Sequence, residues 1–131
     1  MLVDSGPLAA LFDRSNTPLR QWAKRVFESH TPPFYTCEPV ITEVAHLTSA
    51  DLALKLVDDG DLVIDFDLAG ETPAVRRLLK KYAGRMDLAD ACIVRMSELF
   101  RDCQVLTIDR ADFTVYRRFG DQVVPCLFPP D

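Results

Sequence analysis

At 131 residues the chain has room for one domain with one real core. Its 48% hydrophobic and 27% charged residues are ordinary for a globular protein, and no apolar run approaches the roughly 18 residues that span a membrane. A formal net charge of −5 argues against gripping nucleic acid by bulk electrostatics, without excluding local contact.

Met1-Leu2-Val3 is a short apolar run closed by Asp4. Ser5-Gly6-Pro7 then turns into a helix whose apolar body is Leu8 to Phe12. Thr17-Pro18 starts a second helix, with Thr17 as its cap. Leu19, Trp22, Ala23, Val26 and Phe27 follow at helical spacing to about His30, and Pro32-Pro33 breaks the run. Phe34 to Cys37 reads as a strand. Pro39 to Leu47 reads as a helix with Val40, Val44 and Leu47 on one face. Ser49-Ala50-Asp51 opens another, which closes at Asp58-Asp59-Gly60. Leu62 to Phe66 is a strand, and Glu71 to Tyr82 an amphipathic helix ended at Gly84. Across Arg85 to Phe100 the spacing predicts a helix with Leu88, Cys92, Met96, Leu99 and Phe100 on one side. Asp87, Asp90, Ser97 and Glu98 fall opposite. Val105 to Ile108 is a buried-type strand ending at Asp109. Ala111 to Phe119 reads as a short helix closed by Gly120, and Val123 to Leu127 as a last strand whose Pro125 favours a sheet edge. The tail from Phe128 to Asp131 looks dispensable.

Strands separated by helices imply crossover connections. The expected fold is therefore a single α/β domain over residues 1–131, a three-layer α/β/α sandwich with a central, mostly parallel sheet. The N-terminus has no basic leader and carries an acid at position 4, so a cytoplasmic location is expected. Cys37, Cys92, Cys103 and Cys126 are widely spaced in apolar segments and read as buried free thiols. With only His30 and His46 beside them, no zinc cluster forms in the sequence.

The acids are more informative. Asp4 and Asp109 each end an apolar strand, where sites form in open α/β sheets, although turns and helix caps also use acids there. Glu43 sits in a short helix with apolar residues on nearly every side. A carboxylate in that setting must be paired, protonated, bound to a cation or aimed into a wet cleft. Asp90, among Ala89, Ala91 and Ile93, poses the same question, while Asp87 suits a helix N-terminus. Convergent carboxylates without thiol or imidazole match a hard cation, Mg²⁺ or Mn²⁺. Such ions support phosphoryl hydrolysis by metal-activated water. Four acids committed to two divalent ions would bring the formal charge from −5 to −1, so an acidic chain is compatible with a metal site.

Four segments in order, L-V-D-S-G-P-L at the start, I-T-E-V-A around Glu43, D-L-A-D-A-C-I-V at 87–94 and V-L-T-I-D-R-A-D-F at 105–113, resemble the PIN domain. In particular they look like the VapC-type toxins of toxin–antitoxin pairs, and the likeness spans nearly the whole chain. It implies a PIN-like α/β/α fold and a Mg²⁺- or Mn²⁺-dependent endoribonuclease, a hydrolase leaving 5′-phosphate and 3′-hydroxyl ends. It also implies a homodimer and silencing by a cognate antitoxin protein. Carried over by motif, Asp4, Glu43, Asp90 and Asp109 are the metal-binding and catalytic acids. Ser5 and Thr107 are polar partners for carboxylates or metal waters. Asp90 is preferred to Asp87 because it holds the A-D-A position; Asp87 and Asp112 are supporting acids.

Arg85, just before Asp87, and Arg110, just after Asp109, are placed to meet RNA phosphate. Arg14, the Arg20/Lys24/Arg25 face, and Arg76, Arg77, Lys80 and Lys81 are further candidates for RNA phosphate, each of which a solvated helix face explains as well or better. Trp22 and Phe27 fall at core spacing, and His46 reads as structural. Two other Mg²⁺ folds fit poorly. A receiver domain wants paired acids after its first strand and a late lysine, and a dehalogenase-type phosphatase wants D-x-D; the chain has Asp4-Ser5-Gly6 and Arg110. A non-catalytic PIN-like scaffold is the remaining alternative.

Overall fold

A computed structural model describes residues 1–131. In chain order the elements are β1 (Leu2–Val3), α1 (Ser5–Ala10), α2 (Thr17–Ser29), β2 (Phe34–Thr36), α3 (Glu38–Leu47), α4 (Ala50–Asp58) and β3 (Leu62–Ile64). Then come α5 (Leu68–Lys81), α6 (Leu88–Leu99), β4 (Val105–Leu106), α7 (Arg110–Phe113), β5 (Arg117–Arg118), β6 (Gln122–Val123) and β7 (Cys126–Leu127). No helix is long and apolar enough to cross a membrane.

Five strands form a parallel sheet in the order β3-β2-β1-β4-β7, flanked by helices in a three-layer α/β/α arrangement. The connections run outward from β1 through β2 to β3, then return to place β4 on the other side of β1. The reversal lies between β1 and β4, and in such sheets the crevice beyond the carboxyl ends at the reversal is where ligands sit. Register sets this crevice: Leu2 pairs with Val105 and Val3 with Leu106, so Asp4 and Thr107 leave the sheet side by side.

Leu2, Val3, Val105 and Leu106 are all but fully buried, as are Leu8, Val40, Val44, Ile93, Val94 and Met96. Each such side chain contributes about 1.5–3 kcal/mol relative to exposure. Trp22 is buried, and Phe27 packs edge-on against Phe34 with centroids 4.9 Å apart, as core spacing predicts. All four cysteines are free; Cys37 and Cys92 are buried, but Cys103 and Cys126 are only partly so.

Several local expectations are corrected. Asn16, not Thr17, caps α2: its side chain accepts from the Leu19 amide at 3.2 Å, leaving Thr17 as the first helical residue. The two-sided pattern read into α6 also fails. Ala89 to Val94, Met96 and Ser97 are all buried, while Leu88 and Leu99 are exposed, because α6 packs against α5, α3 and β1 at once. Asp90 therefore lies on a buried face and not on a solvated one.

The helix expected over Ala111–Phe119 stops at Phe113. Tyr116 is drawn into the core against Phe113 and Tyr82, at centroid distances of 5.2 and 5.1 Å, and this packing overrides the helical pattern. Beyond it β5 and β6 form an antiparallel hairpin turned by Phe119 and Gly120, both at positive φ (53° and 86°). The expected strand Val123–Leu127 is split accordingly. Gln122–Val123 joins the hairpin, Pro125 interrupts, and Cys126–Leu127 forms the sheet edge. The tail is not loose either: Phe128 packs on the core, and the Pro129 carbonyl accepts from Arg110 at 2.8 Å.

Candidate active site

Six acids, Asp4, Glu43, Asp87, Asp90, Asp109 and Asp112, line one cleft of about 480 Å³ beyond the ends of β1 and β4. Arg85 is the one cation among them. Each acid arrives by a different route. Asp4 follows β1 and caps α1, with Oδ1 accepting from the Ser5 amide at 2.8 Å. Its Oδ2 accepts from the Thr107 hydroxyl at 2.9 Å, across the β1–β4 register. The same Thr107 oxygen accepts from the Asp109 amide at 3.1 Å, so one buried hydroxyl links the ends of both strands. Asp109 caps α7 by accepting from the Asp112 amide at 3.0 Å.

The α6 pair separates into two roles. Asp87 is the N-cap, accepting from the Asp90 amide at 2.8 Å, as its place at the helix head predicts. Asp90 points inward, 9% exposed, and its Oδ2 accepts from the Tyr116 hydroxyl at 2.7 Å. Glu43 reaches the cleft from α3, half-buried, with the Ser5 hydroxyl 3.5 Å from Oε2. Gly6 lets these elements close up: a Cβ there would stand 2.5 Å from Cγ1 of Ile108, on the cleft rim.

Like charge and burial act together. Burial, then the charges of Asp87 and Asp4, pushes Glu43 up to about 7. Burial also raises Asp90 to about 7, against the lowering hydrogen bond from Tyr116, and Asp87 and Asp4 add repulsion. Asp4 is raised above the usual carboxylate range by burial, despite its two donors. Asp112 is raised too, by desolvation and its closeness to Asp109, with Arg85 opposing at 3.1 Å. Tyr116 is pushed up by burial and by Asp90, so it stays a donor.

Thus the acids expected from the sequence share one cleft, with Ser5 and Thr107 as their hydroxyl partners. Arg85 lines the cleft and is paired with Asp112. Arg110 does not line it: its guanidinium turns to the tail, 4.7 Å over the Phe128 ring. Tyr116 went unread in the sequence, since it lies inside what looked like a surface helix and no acid motif includes it.

An all-oxygen donor set of this kind suits a hard divalent cation. The carboxylates are gathered but not closed up: no three stand together as a formed cation shell. Donor chemistry fits the ion, and its binding would require the side chains to draw in.

No family model matches the chain. The chain is similar to "Ribonuclease VapC26" of Mycobacterium tuberculosis (strain ATCC 25618 / H37Rv), with 26% identity over 132 aligned positions that cover 92% of this chain and 94% of that protein.

Proposed function

We propose that the protein is a VapC-type ribonuclease toxin with a PIN-like fold, an endoribonuclease that requires Mg²⁺ or Mn²⁺. Asp4 is the observation that carries this reading. It is a buried carboxylate at the switch point of the sheet, held by two donors and surrounded by five further acids, with no cation bonded to it. Capping accounts for Asp4, Asp87 and Asp109 singly, but not for gathering Glu43 and the buried Asp90 around them. The likeness to a ribonuclease along nearly the whole chain supports the same conclusion.

In this reading Asp4, Glu43, Asp90 and Asp109 hold one or two ions, with Asp87 and Asp112 supporting. When bound, the cation neutralises phosphate charge and makes water a competent nucleophile at neutral pH. The rest falls to the chain. Ser5 and Thr107 fix the Asp4 oxygens, and Thr107 ties Asp109 to the same point. Tyr116 fixes Asp90. Arg85 is the cleft's own partner for a phosphate oxygen. Attack of water at phosphorus breaks the bond to the 3′ oxygen, which takes a proton, leaving 3′-hydroxyl and 5′-phosphate ends.

We place the protein in the cytoplasm as a homodimer silenced by a cognate antitoxin. An apolar groove of about 420 Å³ shares Gly6, Leu47 and Ile108 with the acid cleft, so a partner segment seated there would lie against the cleft's edge. The test is cleavage of a mixed tRNA and rRNA pool with Mg²⁺, Mn²⁺ or chelator, alongside Asp4→Asn purified identically. Discrete cuts that need metal and vanish in the variant support the reading. Metal-independent cuts, or cuts that persist in Asp4→Asn, refute it.

A further inference from the structure

An acid cleft repels RNA, so a nuclease of net charge −5 must hold its substrate elsewhere. A second cleft, of about 260 Å³, lies between the C-terminal half of α5, α6 and the β5–β6 hairpin, and is lined by Arg77, Lys81, Arg117 and Arg95; Arg95 is spent between Glu71 at 2.7 Å and Glu98 at 3.0 Å, and Lys81 donates to the Gly120 carbonyl at 2.7 Å while keeping its charge. Its one acid, Glu98, is already engaged, bonded to Arg95 at 3.0 Å and to the Phe119 amide at 2.7 Å. Arg77 has no protein partner, and Arg117 uses only one guanidinium nitrogen, on backbone carbonyls.

Phe119 stands in this cleft and is unusual in two ways. It is a bulky residue in the left-handed region (φ 53°), where Asn or Gly is the ordinary choice. It is also 38% exposed at the hairpin tip, its ring flanked by Arg101 at 5.4 Å and Arg118 at 5.3 Å. Arg118 is itself pinned to the Ser97 and Arg101 carbonyls, at 2.8 and 3.0 Å. The two guanidinium groups over the ring leave part of it exposed, and that part can take an unpaired base while the cations follow the backbone.

The two clefts share no lining residue, but the chain joins them at two places. Arg77 and Lys81 lie one turn apart, about 6 Å along the axis, and Arg85 follows in the turn that leads from α5 into the acid cleft. On the hairpin side Tyr116 donates to Asp90 while the next residue, Arg117, lines the basic cleft and donates its amide to Tyr82 at 2.9 Å. We infer that single-stranded RNA beside the cut phosphate crosses this face, with Arg77, Lys81 and Arg117 on its phosphates and Phe119 stacked on a base. The inference rests on the ribonuclease reading and adds where substrate is held.

The test is anisotropy of a short fluorescein-labelled single-stranded RNA of mixed sequence, with all variants in the Asp4→Asn background in Mg²⁺. Arg77→Ala with Lys81→Ala is expected to flatten the log–log salt dependence by about 1.4, two contacts at about 0.7 each. Phe119→Asn, which suits the left-handed backbone and so keeps the hairpin, is expected to weaken binding roughly tenfold with the salt slope unchanged. Phe119→Trp should retain affinity, and Lys24→Ala with Arg25→Ala on α2 should change neither quantity. Binding unaffected by the α5 and Phe119 changes, or equal binding of duplex RNA, overturns the inference while wild-type cleavage keeps the nuclease reading. Binding that depends on these residues in a protein that cuts no RNA keeps the surface and removes the catalytic reading.

Discussion

Asp90→Asn separates a metal-site acid from a structural one. In the metal-free protein Asp90 titrates near 7, against an ordinary 3.8. A rise of that size corresponds to at most about 4 kcal/mol of charge penalty, less because the cleft is open to water on one side. The sign follows from linkage. An acid raised in the fold leaves stability intact below 3.8, and that stability is lost as pH rises through about 7. The amide keeps an oxygen for the Tyr116 hydroxyl and cannot ionise. Allowing half of the bound, Asp90→Asn should stabilise the metal-free protein by about 2 kcal/mol at pH 8, or about 6–10 °C in Tm. The gain should shrink toward zero near pH 4. The assay is thermal unfolding by circular dichroism across that range in chelator, repeated with Mn²⁺, which should favour wild type alone. A variant less stable than wild type at pH 8, or a difference that does not vary with pH, would refute the reasoning.

Tyr116→Phe leaves Asp90 without its donor and should lower metal-free stability at pH 8 by about 1–3 kcal/mol, read by urea unfolding. Thr107→Val keeps the strand shape but removes both the bond to Asp4 and the acceptor for the Asp109 amide; about 2 kcal/mol should be lost in the same assay. Because Glu43 and Asp90 hold protons near neutrality, Mn²⁺ binding should release protons at pH 6.5 and almost none at pH 9. Calorimetry in buffers of different ionisation enthalpy measures that release. Gly6→Ala should be destabilising, since the new Cβ meets the Ile108 side chain and forces the cleft rim apart.

Much of this architecture is legible in the sequence because the strands are short apolar runs closed by acids. Asp4 follows β1 directly, whereas β4 stops at Leu106, short of the expected Ile108, and Asp109 comes three residues beyond it; that β1 and β4 are neighbours is seen only in the sheet. Asp87 as a cap follows from its place three residues ahead of Asp90. What the sequence hides is tertiary. By spacing alone Asp90 falls on a polar face, whereas α5, α3 and β1 bury α6 on nearly every side. The stretch from Ala111 to Phe119 has helical spacing, yet Tyr116 leaves it to pack on Tyr82 and reach Asp90. Arg110 stands next to Asp109 in sequence, but α7 turns it to the C-terminal tail. Adjacency along the chain does not fix direction where a helix cap intervenes.

The central claim is that these acids form a cation site and are not merely a set of caps. Mn²⁺ titration followed by electron paramagnetic resonance tests it most directly, on wild type, Asp4→Asn, Asp90→Asn and Asp87→Asn. The account predicts binding by wild type, loss in Asp4→Asn and Asp90→Asn, and only weakening in Asp87→Asn. No binding by wild type at millimolar Mn²⁺, or undiminished binding by Asp4→Asn, would contradict it.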